Sequence, residues 1–314
     1  MKTKKLGSHG PEISVVGYGA WEAGGTSWGA APPDAQTIDA IHKGIEAGMT
    51  WVDTAEIYGH GRSEELVGEA LAGYEDVMVF TKVAPSESGT GFDAASVRLA
   101  AESSLKRLGR DVMDLFQLHW PDESIPVEET WEAMASLVED GLVRWIGVSN
   151  FDQALIERCL EIRHVDSLQS QFSMLHRDGA DDLFPWCASQ GIGVLAYGPL
   201  AYGLLTGAIT RDTAFDDDDW RSGKLGTEGY YGELFAPGKI EPNLAAVERL
   251  RPVAERVGGS PAQLALAWIV AHDWATAAIA GSRSPKHTVE NAGAADLTLD
   301  AATMEEIERI LAGR

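Results

Sequence analysis

The feature that most constrains the fold of this chain is a repeated alternation of short apolar runs with longer amphipathic segments. Run 76–82, DVMVFTK, is apolar at nearly every central position rather than at every second one. A strand of this kind has helices packed on both of its faces and belongs to a parallel sheet. Eight runs read as strands, at 13–21, 49–53, 76–82, 112–119, 143–150, 166–171, 191–200 and 276–281.

Amphipathic segments lie between and after these runs. We expect helices at 62–73, 93–109, 127–141, 152–162, 179–191, 243–257, 261–272, 284–294 and 300–313. Ser63 is a candidate N-cap of the first of them, whereas Asp93 caps the second and Gly109 stops it. Eight strand–helix units in 314 residues predict an α/β protein with a (β/α)8 TIM barrel, and a doubly wound open sheet is the alternative.

The barrel is predicted to form a single domain over residues 1–314, because no linker-like segment divides the chain. The start, KKLG…PEISVVG, is expected to form a short β-hairpin before the barrel, and 300–313 to form a C-terminal helix. The one irregular region is 206–242, with the acidic run DDDDW at 216–220. A loop of this length is typically functional or mobile, so it is either a lid or a solvated excursion.

Charge and cysteine content exclude several classes of protein. The chain has 48 acidic and 25 basic residues, a net charge of −23, which argues against general binding to nucleic acid or to an anionic membrane. Cys159 and Cys187 are isolated, and the N-terminus has no apolar segment of a secretory signal, so we expect a cytoplasmic protein. None of the eight histidines forms an HxH pair, so no metal site is predicted.

Polar or small residues stand at the carboxyl ends of the predicted strands, where barrel enzymes place their chemistry. Any single one of them could be a satisfied polar group of the core. Their shared position at one edge of the sheet favours a site instead. These residues are Asp53, Lys82, His119, Ser149, Asn150, Gln171, Tyr197, Gly281 and Ser282.

Asp53, Tyr58, Lys82 and His119 together predict a specific chemistry. A phenol has an unperturbed pKa of about 10 and becomes a useful general acid when a buried ammonium stabilises its phenolate. Lys82 can supply that charge, Asp53 can keep the lysine protonated, and His119 can hydrogen-bond a substrate oxygen. The group would protonate an alkoxide as it forms on a carbonyl carbon. Because no side chain supplies hydride, a cofactor is required.

The sequence resembles the aldo-keto reductase superfamily over essentially the whole chain. A set of ordered motifs carries the resemblance, and such a set is far more specific than any one motif. The motifs are GYGAW (17–21), VDTAEIYGHGRSEELVGEAL (52–71), FTKV (80–83), DLFQLHWPD (114–122), GLVRWIGVSNF (141–151), LQSQFSML (168–175), LAYGPLAYGLLTG (195–207) and AIAGSRSPKHTVENAGA (278–294).

The resemblance implies a barrel that binds an extended nicotinamide dinucleotide without a Rossmann domain. Tyr58 would be the general acid/base, Lys82 and Asp53 would tune it, and His119 would orient the carbonyl. Tyr197 would stack on the nicotinamide ring. The nicotinamide carboxamide would be held by Ser149, Asn150 and Gln171. Further implied cofactor contacts are Ala20, Trp21, Asp53 and Gly198. The backbone from Pro199 to Leu204, including Leu200 and Gly203, would run along the pyrophosphate.

The last strand–helix turn is implied to bind the adenosine end of the cofactor. Arg283 would meet a 2′-phosphate with help from Ser282 and His287, and Asn291 would reach the adenine. A guanidinium pairs well with phosphate, which favours NADP(H) over NAD(H). Many family members carry lysine at the position of Gly281 and arginine at that of His287, so use of NAD(H) stays possible.

The resemblance also indicates which residues contact the substrate. Trp21 and Trp120 would form walls of the pocket beside Tyr58 and His119, which suits small aldehydes and ketones with hydrophobic or modestly polar groups. Neither a particular substrate nor an oligomeric state follows from the sequence. Loop aromatics that could close over the pocket are Trp28, Tyr230 and Tyr231.

The leading hypothesis is an NADP(H)-dependent carbonyl reductase that also oxidises alcohols in reverse. A cofactor-binding regulatory subunit, like the channel β subunits of this superfamily, would carry the same four polar residues. A lyase or isomerase without nicotinamide is disfavoured by the cofactor residues implied above.

Two sequence features are not assigned to the site. GIGVLA at 191–196 matches a dinucleotide-binding fingerprint, but it lies inside a predicted strand and is interpreted as the start of that strand. His60, close to Tyr58, is interpreted as a loop residue.

Overall fold

The computed structural model describes residues 1–25, 27–223 and 232–314 and contains a closed barrel of eight parallel strands. Each barrel strand pairs with the next in chain order, and the last pairs with the first, so the predicted barrel is confirmed and the open sheet is not formed. A two-stranded antiparallel sheet precedes it, as expected for the hairpin. The strands are β1 (Thr3–Lys5) and β2 (Glu12–Ser14) in the hairpin, then β3 (Val16–Gly19), β4 (Trp51–Asp53), β5 (Met78–Val83), β6 (Met113–Leu118), β7 (Val143–Ser149), β8 (Ser167–Gln171), β9 (Gly193–Tyr197) and β10 (Ala275–Gly281).

Helices surround the barrel. They are α1 (Asp34–Glu46), α2 (Arg62–Ala70), α3 (Ala94–Leu108), α4 (Val127–Glu139), α5 (Gln153–Leu160), α6 (Leu183–Ser189), α7 (Ile240–Arg256), α8 (Pro261–Val270), α9 (Pro285–Gly293) and α10 (Ala301–Ala312). Helix α1 adds to the predicted set, and its buried residues Thr37, Ala40, Ile41 and Gly44 are mostly small, which weakens its apolar pattern. No helix in the described ranges is long and apolar enough to cross a lipid bilayer.

Two of the three predicted helix boundaries agree with the structure. Asp93 is the N-cap of α3 and accepts hydrogen bonds from two backbone N–H groups, and Gly109 ends α3 in the left-handed conformation. The N-cap prediction for Ser63 is wrong, because Gly61 occupies that position of α2. The Ser63 hydroxyl is instead buried, where it donates to the Ala20 carbonyl over 2.6 Å. Ser63 therefore ties α2 to the end of the first barrel strand.

The hairpin closes the end of the barrel at which the strands begin. Leu6 and Ile13 belong to one buried apolar cluster with Trp51, Phe80 and residues from β6, β9 and β10. The Trp51 and Phe80 rings stack with centroids 4.8 Å apart, and the Trp51 indole N–H donates to the Ser14 carbonyl over 2.9 Å. Apolar side chains therefore fill the lower part of the barrel, which leaves its polar side chains to the opposite end.

Gly17 on β3 allows Trp51 to occupy the barrel interior. A Cβ atom at position 17 would overlap the six-membered ring of Trp51, which is completely buried. Glycine is therefore required here by the close approach of an indole rather than by an unusual backbone angle.

Replacing Gly17 by alanine is expected to destabilise the protein by about 1–3 kcal/mol, because the added methyl group overpacks the barrel interior. Thermal unfolding followed by circular dichroism measures the loss. Trp51→Phe should relieve the overlap, so the double variant should lose less stability than the sum of the two single losses. Additive losses would show that Gly17 and Trp51 do not contact each other as described.

Candidate functional site

A cavity of about 910 Å³ opens at the carboxyl ends of the barrel strands. This is the end at which the sequence placed the predicted site. Its lining includes Asp53, Tyr58 and His119 on one side, and Arg283 and Asn291 of the last strand–helix turn. The structure thus brings the residues predicted for chemistry and those predicted for the adenosine end into one continuous space.

Lys82 and Asp53 form a buried ion pair in the upper barrel interior. Lys82 Nζ lies 2.5 Å from Asp53 Oδ1, and the two side chains are 0% and 4% exposed. The ammonium also donates to the Thr54 carbonyl over 2.8 Å. Asp53 Oδ2 accepts a second hydrogen bond, 2.8 Å long, from the Gln169 side-chain amide. The carboxylate is therefore bound at both oxygens. Displacement of the lysine would leave the buried carboxylate without its counter-charge, which is costly in free energy.

Tyr58 lies above this pair. Its hydroxyl is 3.5 Å from His119 Nε2, and Lys82 Nζ is 5.2 Å from the centre of its ring. His119 comes directly after β6, and its backbone N–H donates to the Val83 carbonyl, which fixes its height in the barrel. The phenol and the imidazole thus line the cavity with the buried ammonium beneath them, although the three groups come from three different strand ends.

The loop that carries Tyr58 is held by close backbone packing. A Cβ atom on Gly24 would lie 2.7 Å from the Gly59 backbone nitrogen, and Gly59 has a φ of +60° and no room for a side chain facing Gly24. Glu56, in the same loop, accepts hydrogen bonds from the backbone N–H groups of Ala84 and Thr90, each 3.0 Å long. These contacts fix Tyr58 between the first and third barrel strands.

Burial sets the charge states of His119 and Lys82. Burial lowers the pKa of His119 well below its usual value, and the nearby charge of Lys82 lowers it further. His119 is therefore neutral at pH 7. Its Nδ1 has no hydrogen-bond partner among the described residues, so the Nε2–H tautomer, which faces Tyr58, avoids burying an unpaired donor. Burial also lowers the pKa of Lys82, and Asp53 opposes that change.

Ser149 and Asn150 lie at the end of β7 and line the cavity. Asn150 has a φ of +60°, and its side-chain amide donates to the His119 carbonyl over 3.0 Å and to Ser149 Oγ over 3.1 Å. Its oxygen accepts a 2.8 Å hydrogen bond from the Tyr197 hydroxyl. Asn150 therefore joins the strand end of His119 to that of Tyr197.

The prediction for Gln171 requires a correction. Gln171 is buried on β8 but does not line the cavity, whereas Gln169 does and bonds Asp53. Both glutamines lie two residues apart, so alternation along a strand assigns them to the same face and cannot distinguish them. The segment LQSQ at 168–171 contains two glutamines, so the sequence itself indicated that either one could line the cavity.

The segment after β9 has an unusual backbone. Gly198, Ala201, Tyr202 and Gly203 have φ values of +64°, +46°, +55° and +102°. Residues in the left-handed conformation can direct successive backbone N–H groups toward one concave surface, and such a surface binds anions. Gly198, Gly203 and the intervening Pro199 and Leu200 line the cavity. Leu204 and Ala20, predicted to contact a cofactor, are buried and do not line the cavity, because both pack in the apolar core.

Arg283 is engaged on three sides in this structure. Its guanidinium donates to the carbonyls of Ala30 and Trp28, each over 2.9 Å, and its Nε lies 3.7 Å from Glu22. Arg283 therefore holds the loop that follows the first barrel strand. Glu22, which sequence reasoning did not select, lines the cavity at this point. The other predicted residues of this turn that line the cavity are Gly281, Ser282, His287 and Asn291.

Loop aromatics close one side of the cavity. Trp28 forms an isolated β-bridge with Asp219, and the Trp220 backbone N–H donates to the Ser27 carbonyl over 3.0 Å. Trp28, Trp220 and Tyr202 form a separate apolar cluster. The end of the acidic run at 216–220 is thus buried rather than a solvated excursion. Trp21 and Trp120 line the cavity as predicted, whereas Tyr230 and Tyr231 lie outside the described residues.

Comparison with known proteins agrees with this geometry. The model of the Aldo/keto reductase family matches residues 15–312. Aldo-keto reductase YhdN of Bacillus subtilis (strain 168) is 33% identical over 319 residues, which cover 99% of this chain and 94% of that protein.

Solved structures show the same likeness. A glycerol dehydrogenase from Gluconobacter oxydans is 31% identical, with a TM-score of 0.86 over 99% of this chain and 94% of that one. An aldo-keto reductase from Klebsiella pneumoniae in complex with NADPH is 30% identical, with a TM-score of 0.77 over 100% of this chain and 97% of that one. This chain, in which the Lys82–Asp53 pair lies beneath Tyr58, therefore belongs to the aldo/keto reductase family.

Proposed function

We propose that this oxidoreductase is an NADP(H)-dependent carbonyl reductase whose site is carried by one barrel domain, residues 1–314. The observation that carries the proposal is the position of Tyr58, whose hydroxyl is 3.5 Å from His119 above the buried Lys82–Asp53 pair. The nicotinamide of the bound cofactor supplies hydride to the carbonyl carbon, and the same groups serve alcohol oxidation in reverse.

Tyr58 is the proton donor in this proposal. As negative charge develops on the substrate oxygen, the phenol gives up its proton, and the resulting phenolate lies next to the Lys82 ammonium. Asp53 holds the ammonium in place and keeps it charged against the effect of burial. Neutral His119 donates from Nε2 to the carbonyl oxygen, which orients the carbonyl without contributing a second charge.

The cavity supports a nicotinamide dinucleotide as the cofactor. Asn150 and Gln169 offer amide groups on the cavity wall near Asp53, and the left-handed segment from Gly198 to Gly203 offers a concave backbone surface for the pyrophosphate. Two solved structures of a Klebsiella pneumoniae relative contain NADPH, or NADP and acetate, which supports the phosphorylated form. Arg283 is a cavity-lining cation in the last strand–helix unit and would meet a 2′-phosphate, in exchange for part of its present contacts.

The substrate in this proposal is a small aldehyde or ketone. Beside Tyr58 and His119 the cavity is walled by Trp21 and Trp120, and Trp28 covers it from the first loop. Aromatic walls of this kind bury apolar groups attached to the carbonyl carbon. The site thus combines polar side chains that bind a carbonyl oxygen with aromatic walls that contact the apolar substituents of the carbonyl carbon.

Tyr58→Phe is expected to lower turnover of 4-nitrobenzaldehyde with NADPH by at least ~10²-fold, because the positioned proton donor is lost. Tryptophan fluorescence quenching by NADPH should stay close to that of the wild type, since no cofactor contact is removed. Tyr74→Phe, a substitution outside the cavity, serves as the matched control and should keep full turnover. Full activity of Tyr58→Phe would refute the assigned acid.

Arg283→Ala is expected to weaken NADPH binding by about 10–100-fold more than NADH binding, because a charge-assisted bond to phosphate contributes about 1.5–3 kcal/mol. Fluorescence titration with both cofactors measures the difference. Arg283→Lys should recover part of the affinity for NADPH. Equal weakening for the two cofactors would mean that Arg283 acts only by holding the Trp28 loop.

His119 is expected to stay neutral through the range in which an ordinary histidine titrates, at about pH 6.5. Since burial and Lys82 depress its pKa, protonation begins only at lower pH. The profile of kcat/KM for carbonyl reduction should therefore have the same shape between pH 6 and 7.5 in the wild type and in His119→Gln. An acidic limb near pH 6.5 that disappears in the variant would contradict the neutral assignment.

A further inference from the structure

A cluster of metal-binding side chains lies at the end of the barrel opposite to the cavity. His9 is in the loop between β1 and β2, whereas His164 and Asp166 directly precede β8. Each of the three offers one ligand atom, and these atoms lie within 4.8 Å of one another. Because parallel strands begin at this end, the cluster is separated from Tyr58 by the length of the barrel interior.

The hydrogen bonds around the two histidines leave one nitrogen of each ring with a free lone pair. His164 Nε2 is 3.3 Å from the Gly191 carbonyl oxygen, so Nε2 carries the proton and Nδ1 does not. The Ser8 hydroxyl donates to the same carbonyl over 3.2 Å and lies 3.1 Å from His9 Nδ1. When this hydroxyl donates to Gly191 it accepts from Nδ1–H of His9, and that tautomer leaves Nε2 of His9 unprotonated. Metal-binding histidines are typically fixed in this way.

Asp166 supplies the acidic ligand. It is 3% exposed, and its Oδ2 accepts a 3.0 Å hydrogen bond from the Ile146 backbone N–H, which orients the carboxylate. The rings of His9 and His164 meet edge to face with centroids 4.5 Å apart.

We propose that His9, His164 and Asp166 bind one divalent zinc-type ion, with water completing its coordination. Two imidazoles and one carboxylate suit Zn²⁺ or Co²⁺ better than Mg²⁺ or Ca²⁺. Ligand distances of about 2.0–2.2 Å place tetrahedral ligand atoms ~3.3 Å apart, so the three residues must close around the ion. His9 is exposed in the hairpin loop and can make this movement by side-chain rotation.

The bound ion would join the hairpin to the barrel. His9 belongs to the loop of the hairpin whose Leu6 and Ile13 fill the bottom of the barrel, and Asp166 is fixed to β7 through Ile146. Binding to the folded chain alone raises its stability by mass action. The ion therefore stabilises the hairpin that closes the barrel, without contact with the cavity.

Arg163 offers a substitution that is expected to strengthen metal binding, whereas substitution of a ligand is expected to weaken it. Arg163 directly precedes His164 in the chain and carries a positive charge beside the cluster. The same charge repels a cation bound in the cluster. Removal of this charge should therefore tighten metal binding.

The experiment is isothermal titration of the full chain, stripped with EDTA and dialysed, with ZnCl2, together with visible absorbance on addition of CoCl2. We expect one equivalent of saturable binding and a Tm that rises by several degrees with Zn²⁺. His9→Gln, His164→Gln and Asp166→Asn should each weaken binding by at least ~10-fold and remove most of the rise in Tm. Arg163→Gln should strengthen binding.

Two features keep the outcome interpretable. Asp166→Asn retains an oxygen for the Ile146 N–H, and His9 is exposed, so both variants are expected to fold, which far-UV circular dichroism verifies. His60→Asn, an exposed histidine at the other end of the barrel, is the matched control and should bind as the wild type does. Absence of saturable binding, or equal binding by the ligand variants and the wild type, would overturn the proposal and leave an adventitious ion only.

Discussion

The ion pair between Lys82 and Asp53 is the interaction on which the organisation of the site depends. A buried pair is costly in free energy unless further hydrogen bonds satisfy both partners. Here the Thr54 carbonyl and the Gln169 amide supply them. Three strands, β4, β5 and β8, thus converge on two charges in the upper barrel. Tyr58 and His119 lie at the edge of this charged layer, where a substrate oxygen can reach them.

The barrel makes such a layer possible by separating apolar from polar side chains along its axis. Trp51 and Phe80 fill the lower interior together with the hairpin residues, and Gly17 provides the space that the indole needs. Above them the same strands end in Asp53 and Lys82. A small shift in the lower packing would therefore move the charged pair. The stability of the lower half and the geometry of the upper half are linked through β4 and β5.

Much of the fold and of the site could be predicted from sequence, because parallel strands and their ends follow from local patterns. The strand ends placed Asp53 and His119 correctly at the cavity, and Lys82 lies buried beneath them, paired with Asp53. What failed depended on three-dimensional packing. Gln169 and Gln171 share one strand face, so strand alternation does not show which of them lines the cavity. Ser63 matched a cap by type, but tertiary contacts with Ala20 took its hydroxyl.

Contacts made between loops were the least predictable. No local sequence pattern predicts that Arg283 donates hydrogen bonds to the carbonyls of Trp28 and Ala30. The same holds for the isolated β-bridge between Trp28 and Asp219. These pairs are 191 to 255 residues apart, and no periodic pattern encodes them. They nevertheless decide which cations face the cavity and how its aromatic side is closed.

The central claim is that the Lys82 ammonium makes Tyr58 a usable acid. The most direct measurement is the alkaline limb of the pH profile for single-turnover carbonyl reduction, in the wild type and in Asp53→Asn with Lys82→Met. The double variant removes both charges of the pair together, so it lacks the ammonium and buries no unpaired charge. The account requires the limb to move to higher pH when Lys82 is removed, because a phenol without a nearby cation ionises less readily. A limb at the same pH in both proteins would contradict it.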